Sequence, residues 1–374
     1  MTELKQPNCK KYQTIEDSRR RKFLAASATA VAGISLSGFP MLSLGQSRPL
    51  KVGAYGGYFK DSFDQFIFPE FTKETGIEVE SIAEPTGEAW LAQLNAAASA
   101  GQAPADVSMI AQVPMLKGQK TELWMPLDEG KLPNLANVSP NFVHRYPDGR
   151  LDGVGAVAWY ITLVTNTDVY SQEPESWDEL WNPANKDRLG LLALVTNSFL
   201  LEITSTTYYG TTDILNDEAG QLEVFGKLAE LKDNVALWYR DEAQFEQALK
   251  SGEIPMGQYY HDVAGLAAAD GFPVRTTFPR EGGVSDSGLW AVSKASKMAE
   301  QAHVFIDYMC RPDVQSSLSR NVGTAPTVPR SMLDLTDDEF ASVASEIAPI
   351  VPRYDLYDQK EEWLSQKWSE LIAS

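Results

Sequence analysis

Histidine and cysteine, which most often carry metals and nucleophilic catalysis, are scarce in this chain. Its 374 residues include three His and two Cys. His144, His261 and His303 lie far apart, and no H-E-x-x-H, G-x-S-x-G or Cys/His metal spacing is present. The sequence therefore predicts no metal, no cofactor and no enzymatic activity. A secreted hydrolase stays open as an alternative, because a glycosidase-like pair of carboxylates leaves no sequence motif.

The two cysteines do not predict a disulfide. Cys9 lies in an N-terminal segment that we expect to be removed, which leaves Cys310 alone in the mature chain. Cys310 stands near the end of a predicted helix, in the stretch DYMCRPD, and we expect a buried rather than a reactive thiol. His303 falls in the same amphipathic helix, where a structural role is expected.

Long apolar runs are absent except at the N-terminus, where one follows a basic cluster. The letters SRRRKFL lead into a run of apolar and small residues at 23–44, and small residues at 43 and 45 suit cleavage after Gly45. The pattern predicts a signal peptide over residues 1–45, of the twin-arginine type, with an ordinary Sec signal as the alternative. No Cys ends the run, so we expect a mature protein free in the periplasm.

The charge balance is strongly acidic. The formal net charge is -19. Residues 1–45 carry seven Lys/Arg against three Asp/Glu, so the net charge of the mature chain is about -23. We do not expect the protein to bind nucleic acid, because nucleic-acid binding needs a basic surface. An acidic field could steer cations towards the protein. Solubility alone is the other explanation of the charge.

Strand and helix patterns alternate along the mature chain, whose length suits two domains. We predict strands at 52–55, 77–82 and 105–111, with helices at 61–75 and 88–100 between them. Further strands are predicted at 154–166, 254–260 and 284–292. Such alternation indicates an α/β fold with a parallel sheet, whose ligands bind at the carboxyl ends of the strands.

The first predicted strand ends in Tyr55-Gly56-Gly57-Tyr58. The glycine pair lacks the Lys-Ser/Thr ending of a P-loop, so a ligand-facing turn is a better interpretation than a phosphate site. Aromatic residues recur at other strand ends, and across a cleft they could pack alkyl chains and attract cations. Asp262 and Asp286 could then provide the charge partner of an ammonium group.

Several stretches of the chain together resemble one family. They are YGGYFKDSF with FPEFTKETGIEV, ELWMPLDEGKLPNLANV, ESWDELWNPANKDRLGLL, FPREGGVSDSGLWAVSKAS and AHVFIDYMCRPDVQSSLSRNVGTAPTVP. Over residues 50–330 the chain resembles the periplasmic solute-binding proteins of ABC transporters, in the spermidine/putrescine-binding branch. The resemblance implies a two-lobed periplasmic binding protein fold, α/β, with hinge strands and a ligand cleft between the lobes.

The resemblance also implies the limits of the lobes. Lobe 1 would comprise residues 46–158 and 289–325, and lobe 2 residues 159–288 and 326–374. Residues 157–166 and 286–292 would cross between them. Closure of the two lobes around the ligand is the expected motion.

Site residues carried over from the family are only partly matched. Tyr55 and Tyr58 match aromatic residues of the family's first loop, and Tyr260 matches a Trp of the second lobe. Residues 196–198 stand where the family has an acidic pair, and Gly288 stands where it has a key Asp, although Asp286 is two positions away. An ammonium group buried without a carboxylate would be costly. A polyamine, a smaller amine, an amino-acid-like solute and an organic acid therefore all remain open. Asn197, Ser198 and Thr324 could hold a carboxylate.

We accordingly expect a solute receptor that captures a small polar solute, a polyamine or another amine or amino-acid-like compound, and delivers it to ABC transporter permease subunits. A sensor subunit that works independently of transport would share this fold and pocket. The protein is expected to be a monomer. The predicted ligand-binding residues are Tyr55, Gly57, Tyr58, Gln112, Trp159, Asn197, Ser198, Tyr260, Asp262 and Asp286.

Overall fold

The computed structural model describes residues 48–85 and 87–373, apart from the side chains of Tyr58 and Glu88. The predicted signal peptide, its twin-arginine motif and its cleavage site lie outside the described residues. None of the helices in the described part of the chain has the length and apolarity needed to span a bilayer.

Ten strands and fourteen α-helices make up the described chain, with short 3-10 turns between them. The strands, β1 to β10, are Leu50–Tyr55, Val79–Glu84, Val107–Ala111, Val143–Arg145, Leu151–Asn166, Leu189–Leu192, Val235–Tyr239, Met256–Tyr260, Val274–Thr277 and Val284–Val292. The helices, α1 to α14, are Tyr58–Phe66, Phe68–Thr75, Glu88–Ser99, Gln112–Lys120, Val195–Ser198, Leu200–Tyr209, Glu218–Leu228, Glu242–Ser251, His261–Ala269, Ala299–Met309, Pro312–Val322, Asp337–Ala341, Tyr354–Gln359 and Glu361–Ala373.

The strands form one mixed sheet, in the order β2-β1-β3-β10-β5-β8-β6-β7, with β4 and β9 paired to β5. Strands β1, β2 and β3 are parallel, and so are β6, β7 and β8. The parallel sheet expected from the sequence is therefore correct within each half. It is wrong for β5 and β10, which pair antiparallel with their neighbours because each crosses from one half to the other.

Two large hydrophobic cores lie on either side of this crossing. The first core contains Leu50, Val157 and Trp290, and the second contains Ile161, Tyr259 and Val284. Both β5 and β10 thus contribute to both cores, as a strand that passes between two lobes must. A smaller third cluster, around Trp90 and Trp124, covers the other face of the first half of the sheet.

Local predictions agree with the described elements, with small shifts at the ends. The predicted helix over residues 61–75 is broken at Ile67, just before Pro69, and ends at Gly76 in the left-handed conformation. The side chain of Asp241 caps α8 by accepting a hydrogen bond from the Ala243 amide. Cys310 is buried, as expected, and burial raises the pKa of its thiol to about 12.

His303 has the structural role that its position suggested. One ring nitrogen contacts the Asp128 amide at 2.9 Å, and the other contacts the Ala299 carbonyl at 2.7 Å. Both nitrogens are therefore used within the first half of the fold.

The C-terminal part of the chain packs against both cores. Val328 and Phe340 belong to the first core, whereas Ile350 and Trp368 belong to the second. Ile350 forms an isolated parallel β-bridge with Val284, the first residue of β10. The chain therefore passes from the first core to the second a third time, near residue 350. The predicted lobe limits stay a prediction.

The close packing of β8 on β6 makes one glycine sensitive to substitution. A Cβ at Gly257 would overlap the carbonyl oxygen of Gly190, whereas a Cβ at Gly265, within α9, would meet nothing within 4 Å. Gly257→Ala should lower the free energy of unfolding by about 3 kcal/mol, because the backbones of β8 and β6 must move apart to make room for the methyl group. Gly265→Ala should raise it slightly. Urea denaturation measures both, and equal midpoints for the two variants would contradict this packing.

Candidate functional site

Asp286 is the centre of a polar cluster at the point where the paired strands β5 and β10 pass from one half of the fold to the other. It lies opposite Trp159 in the antiparallel pair. Its Oδ1 atom accepts a hydrogen bond from the Tyr354 hydroxyl at 2.7 Å and another from the Ser287 amide at 2.8 Å. Burial raises the pKa of Asp286 to about 6, although hydrogen bonds from Tyr354, Ser287 and the Trp159 side chain favour the ionised form.

Tyr55 approaches this cluster from the carboxyl end of β1. The side chain is half-buried, and its ring lies edge-on to Phe59 with centroids 6.1 Å apart. Its hydroxyl is buried and has no hydrogen-bond partner among the described residues. Burial raises the pKa of Tyr55 well above its usual value, and the charges of Glu84 and Asp286 raise it further.

Tyr260 reaches the cluster from the other half of the fold, at the carboxyl end of β8. It is half-buried and hydrogen-bonded to Glu242. Burial raises the pKa of Tyr260, as do the charges of Glu242, Asp286 and Asp262. Asp262 follows in the first turn of α9, and its buried Oδ1 has no partner among the described residues. Burial also raises the pKa of Asp262.

Gln112 supports the cluster from the start of α4. Its side chain is buried, and Nε2 donates to the Ser287 hydroxyl at 2.8 Å, directly beside Asp286. The C-terminal segment contacts the same helix further along. Lys117 forms an ion pair with Glu361 at 2.9 Å, and Lys120 forms one with Asp358 at 2.8 Å. These ion pairs join α4 to the helices that contain and follow Tyr354.

The other predicted site residues are not joined to this cluster by a described contact. Gly57 is exposed and, with φ 68, precedes the first turn of α1. Asn197 is exposed and contacts Thr196, whereas Ser198 is buried and its carbonyl accepts a hydrogen bond from Gln258. The Tyr58 side chain lies outside the described atoms. The ligand roles of these four residues, like those of the other six predicted residues, stay predictions.

Tyr354, Glu242 and Glu84 are polar neighbours of the cluster that the sequence analysis missed. Tyr354 stands in a polar C-terminal stretch that gives no local signal. Glu242 begins α8 just after the N-cap residue Asp241, and Glu84 ends β2, so an acidic residue at a strand or helix end was the available signal for both. Glu84 pairs in register with Tyr55 and is buried, and burial raises its pKa to about 9.

The carboxyl groups in and near the cluster have no cationic partner. Within residues 48–85 and 87–373, no ion pair joins Asp286, Asp262, Glu242 or Glu84 to a Lys, Arg or His. In that part of the chain, no group of three or more His, Cys, Asp or Glu side chains could hold a metal ion either. The arrangement suits a ligand that brings its own positive charge.

Comparison with known proteins identifies the family. A model of bacterial extracellular solute-binding proteins matches residues 67–344, more than half of the chain. The chain belongs to this family. Its members bind solutes for transport, so the hydrolase alternative is not favoured.

Two curated relatives are similar over most of the chain. The spermidine/putrescine-binding periplasmic protein of Escherichia coli (strain K12) is 27% identical over 260 residues, which is 69% of this chain and 72% of that protein. The spermidine/putrescine-binding periplasmic protein 1 of Haemophilus influenzae is 28% identical over 268 residues, 69% of this chain and 70% of that protein. Both names agree with the predicted periplasmic location.

A solved structure confirms the fold. An ABC transporter substrate-binding protein from Bradyrhizobium japonicum USDA 110 aligns with a TM-score of 0.72 and 20% identity, over 87% of this chain and 99% of that chain. The two-lobed periplasmic binding protein fold, with strands crossing between the lobes, is therefore as predicted. The cluster around Asp286 lies at this crossing.

The hydrogen bond from Tyr354 should control the protonation of Asp286. Tyr354→Phe removes a donor that favours the ionised form, so the pKa of Asp286 should rise from about 6 by about one unit. Carbon-13 NMR of labelled aspartate carboxyls, followed against pH, measures this shift. Tyr357→Phe is a matched control, because the Tyr357 hydroxyl donates to Glu202 at 2.7 Å instead. A titration of Asp286 that is the same in both variants would contradict the role of Tyr354.

Proposed function

We propose that the protein captures a small organic amine in the periplasm and delivers it to the permease of an ABC importer, without catalysing a reaction. The observation that carries the proposal is the half-buried Asp286 carboxylate, which has no cationic partner among the described residues and lies opposite Trp159 in the sheet. Its charge contributes to the raised pKa values of Tyr55 and Tyr260. The working unit would be a monomer that needs no cofactor.

The electrostatics of the site favour a cation over an anion. The pKa of Asp286 lies at about 6, so its side chain is mostly ionised at neutral pH. An anionic ligand would meet this charge and the nearby Asp262 and Glu242 without a basic side chain to offset them. An ammonium group would pair with the carboxylate and could also lie against the aromatic faces.

The relatives support the same class of ligand. Two proteins that are 27% and 28% identical to this chain are named for binding spermidine and putrescine. Amines that carry two or more ammonium groups are therefore the first candidates. Amino-acid-like solutes and organic acids are the alternatives that the binding experiment separates from them.

Isothermal titration calorimetry on the exported protein, purified from the periplasm and freed of bound ligand, tests this proposal. Putrescine and spermidine should bind, whereas succinate should not. At about 100 times its dissociation constant, a ligand should also add roughly 2.7 kcal/mol of stability in a thermal shift assay. Because the amine needs the ionised carboxylate, its affinity should fall as the pH drops through about 6.

Substitution of Asp286 gives the sharper test. Asp286→Asn should weaken amine binding by roughly 30-fold or more, because a desolvated charge pair loses one partner. Asp270→Asn, at an exposed carboxylate beyond the end of α9, should bind as the wild type does. Tight binding of an organic acid with no binding of any amine, or unchanged affinity in Asp286→Asn, would overturn the proposal.

Tyr260 should contribute through its ring. Tyr260→Ala should weaken amine binding by about 5-fold to 30-fold, because a desolvated cation–aromatic contact is worth up to about 2 kcal/mol. The fold should persist, since Tyr260 is only half-buried at a strand end. Calorimetry measures the affinity and circular dichroism the fold. A folded variant with unchanged affinity would remove Tyr260 from the site.

A further inference from the structure

The hydroxyl of Tyr55 is a buried polar group that the protein itself leaves unused. It has no hydrogen-bond partner among the described residues, although buried hydroxyls normally find one. Burial holds its pKa well above the usual value, so the group stays protonated and neutral at physiological pH. A neutral phenol oxygen is an available hydrogen-bond acceptor.

The hydroxyl packs closely against β10 at Gly288, a position that has no side chain. An ideal Cβ at Gly288 would lie 3.3 Å from the Tyr55 hydroxyl oxygen and 3.1 Å from Met109 Cγ. Gly288 stands two residues after Asp286 on β10, on the same face of the strand. The unused hydroxyl therefore faces the stretch of β10 that carries the Asp286 carboxylate.

The carboxylate of Asp286 has little acceptor capacity left. A carboxylate offers about four acceptor positions. The Tyr354 hydroxyl and the Ser287 amide both donate to Oδ1, and the Trp159 side chain donates to the same carboxyl group. About one position thus remains for a ligand. An ammonium group with several N–H bonds needs a second acceptor close by, or it leaves donors unsatisfied in a buried site.

Tyr55 and Asp286 are close enough to share such a group. The Tyr55 hydroxyl lies against Gly288, which is two residues from Asp286 on the same face of β10. The charge of Asp286 also contributes to the raised pKa of Tyr55, after burial and the charge of Glu84. Because the N–H bonds of an ammonium group diverge at a tetrahedral angle, two hydrogen bonds of about 2.8 Å let one nitrogen bridge oxygens roughly 4.6 Å apart. Residues two apart on one face of a strand are spaced about 6.8 Å, and side chains can shorten that distance.

We propose that the Tyr55 hydroxyl and the Asp286 carboxylate together form a cradle for one primary ammonium group, so that the site selects primary amines over N-alkylated ones. This inference rests on the proposed function and adds a specificity-determining role for the hydroxyl of Tyr55, distinct from that of its ring. A primary ammonium donates one N–H to each oxygen. A dimethylated ammonium has one N–H, which Asp286 alone satisfies.

Putrescine and its N,N,N′,N′-tetramethyl analogue are the probes for this cradle, in calorimetric titrations of the full exported protein. The wild type should bind putrescine at least tenfold more tightly than the analogue. Tyr55→Phe keeps the ring, and it should lower the affinity for putrescine about tenfold while leaving the affinity for the analogue unchanged. Tyr209→Phe, on α6 and outside the cluster, is the matched control and should keep the wild-type ratio.

Gly288→Ala provides an independent test that leaves the hydroxyl in place. Its methyl group would lie 3.3 Å from the Tyr55 oxygen and crowd it, so putrescine affinity should fall and the preference over the analogue should shrink. Two results would overturn the cradle. One is a preference for putrescine over the analogue that persists in both variants, and the other is an equal loss of affinity for both probes in Tyr55→Phe. If the wild type binds neither probe, the proposed function fails and the cradle falls with it. If Asp286→Asn loses affinity for putrescine while Tyr55→Phe keeps it, the cradle is wrong but the proposed function stands.

Discussion

A carboxylate without a cationic partner, held on a strand that joins two hydrophobic cores, is the feature on which the candidate site depends. Burial alone would keep Asp286 protonated, whereas a lysine or arginine partner would neutralise it permanently. Hydrogen bonds from Tyr354, Ser287 and Trp159 hold its pKa at about 6 instead. The group is therefore ionised at neutral pH and still able to gain from a cation that arrives with the ligand.

The fold explains why polar residues meet at this place. Each half of the sheet is parallel, and the carboxyl ends of β1 and β8 both point towards the crossing of β5 and β10. Tyr55 and Tyr260 end those two strands and so approach Asp286 from opposite lobes. The third crossing of the chain, near residue 350, brings Tyr354 to the same point. A ligand that contacts all of these residues would contact both lobes and favour closure.

The hydrogen-bond partners within the cluster limit what it can recognise. Most of the acceptor positions of Asp286 are used by the protein, and the Tyr260 hydroxyl is hydrogen-bonded to Glu242. Near the cluster, the buried polar atoms that lack partners in the described part of the chain include the Tyr55 hydroxyl, one oxygen of Asp262 and both carboxyl oxygens of Glu84. Recognition of an amine would then depend on a few unfilled acceptors rather than on a large number of charges.

The sequence by itself determined the elements and the family of this protein. The strand and helix periods, the cap at Asp241 and the break before Pro69 are local properties, and neighbouring residues decide them. Strand-end position also predicted Tyr55, Gln112 and Tyr260 as site residues, because parallel strands deliver their carboxyl ends to one edge of the sheet. Asp286 was predicted instead as the charge partner of an ammonium group. Only the tertiary structure decided that Tyr354 bonds to Asp286 across 68 residues. It also decided that β5 and β10 run antiparallel, and that no basic side chain reaches the carboxylates in the described part of the chain. Those facts depend on contacts between distant segments, which periodicity and spacing do not encode.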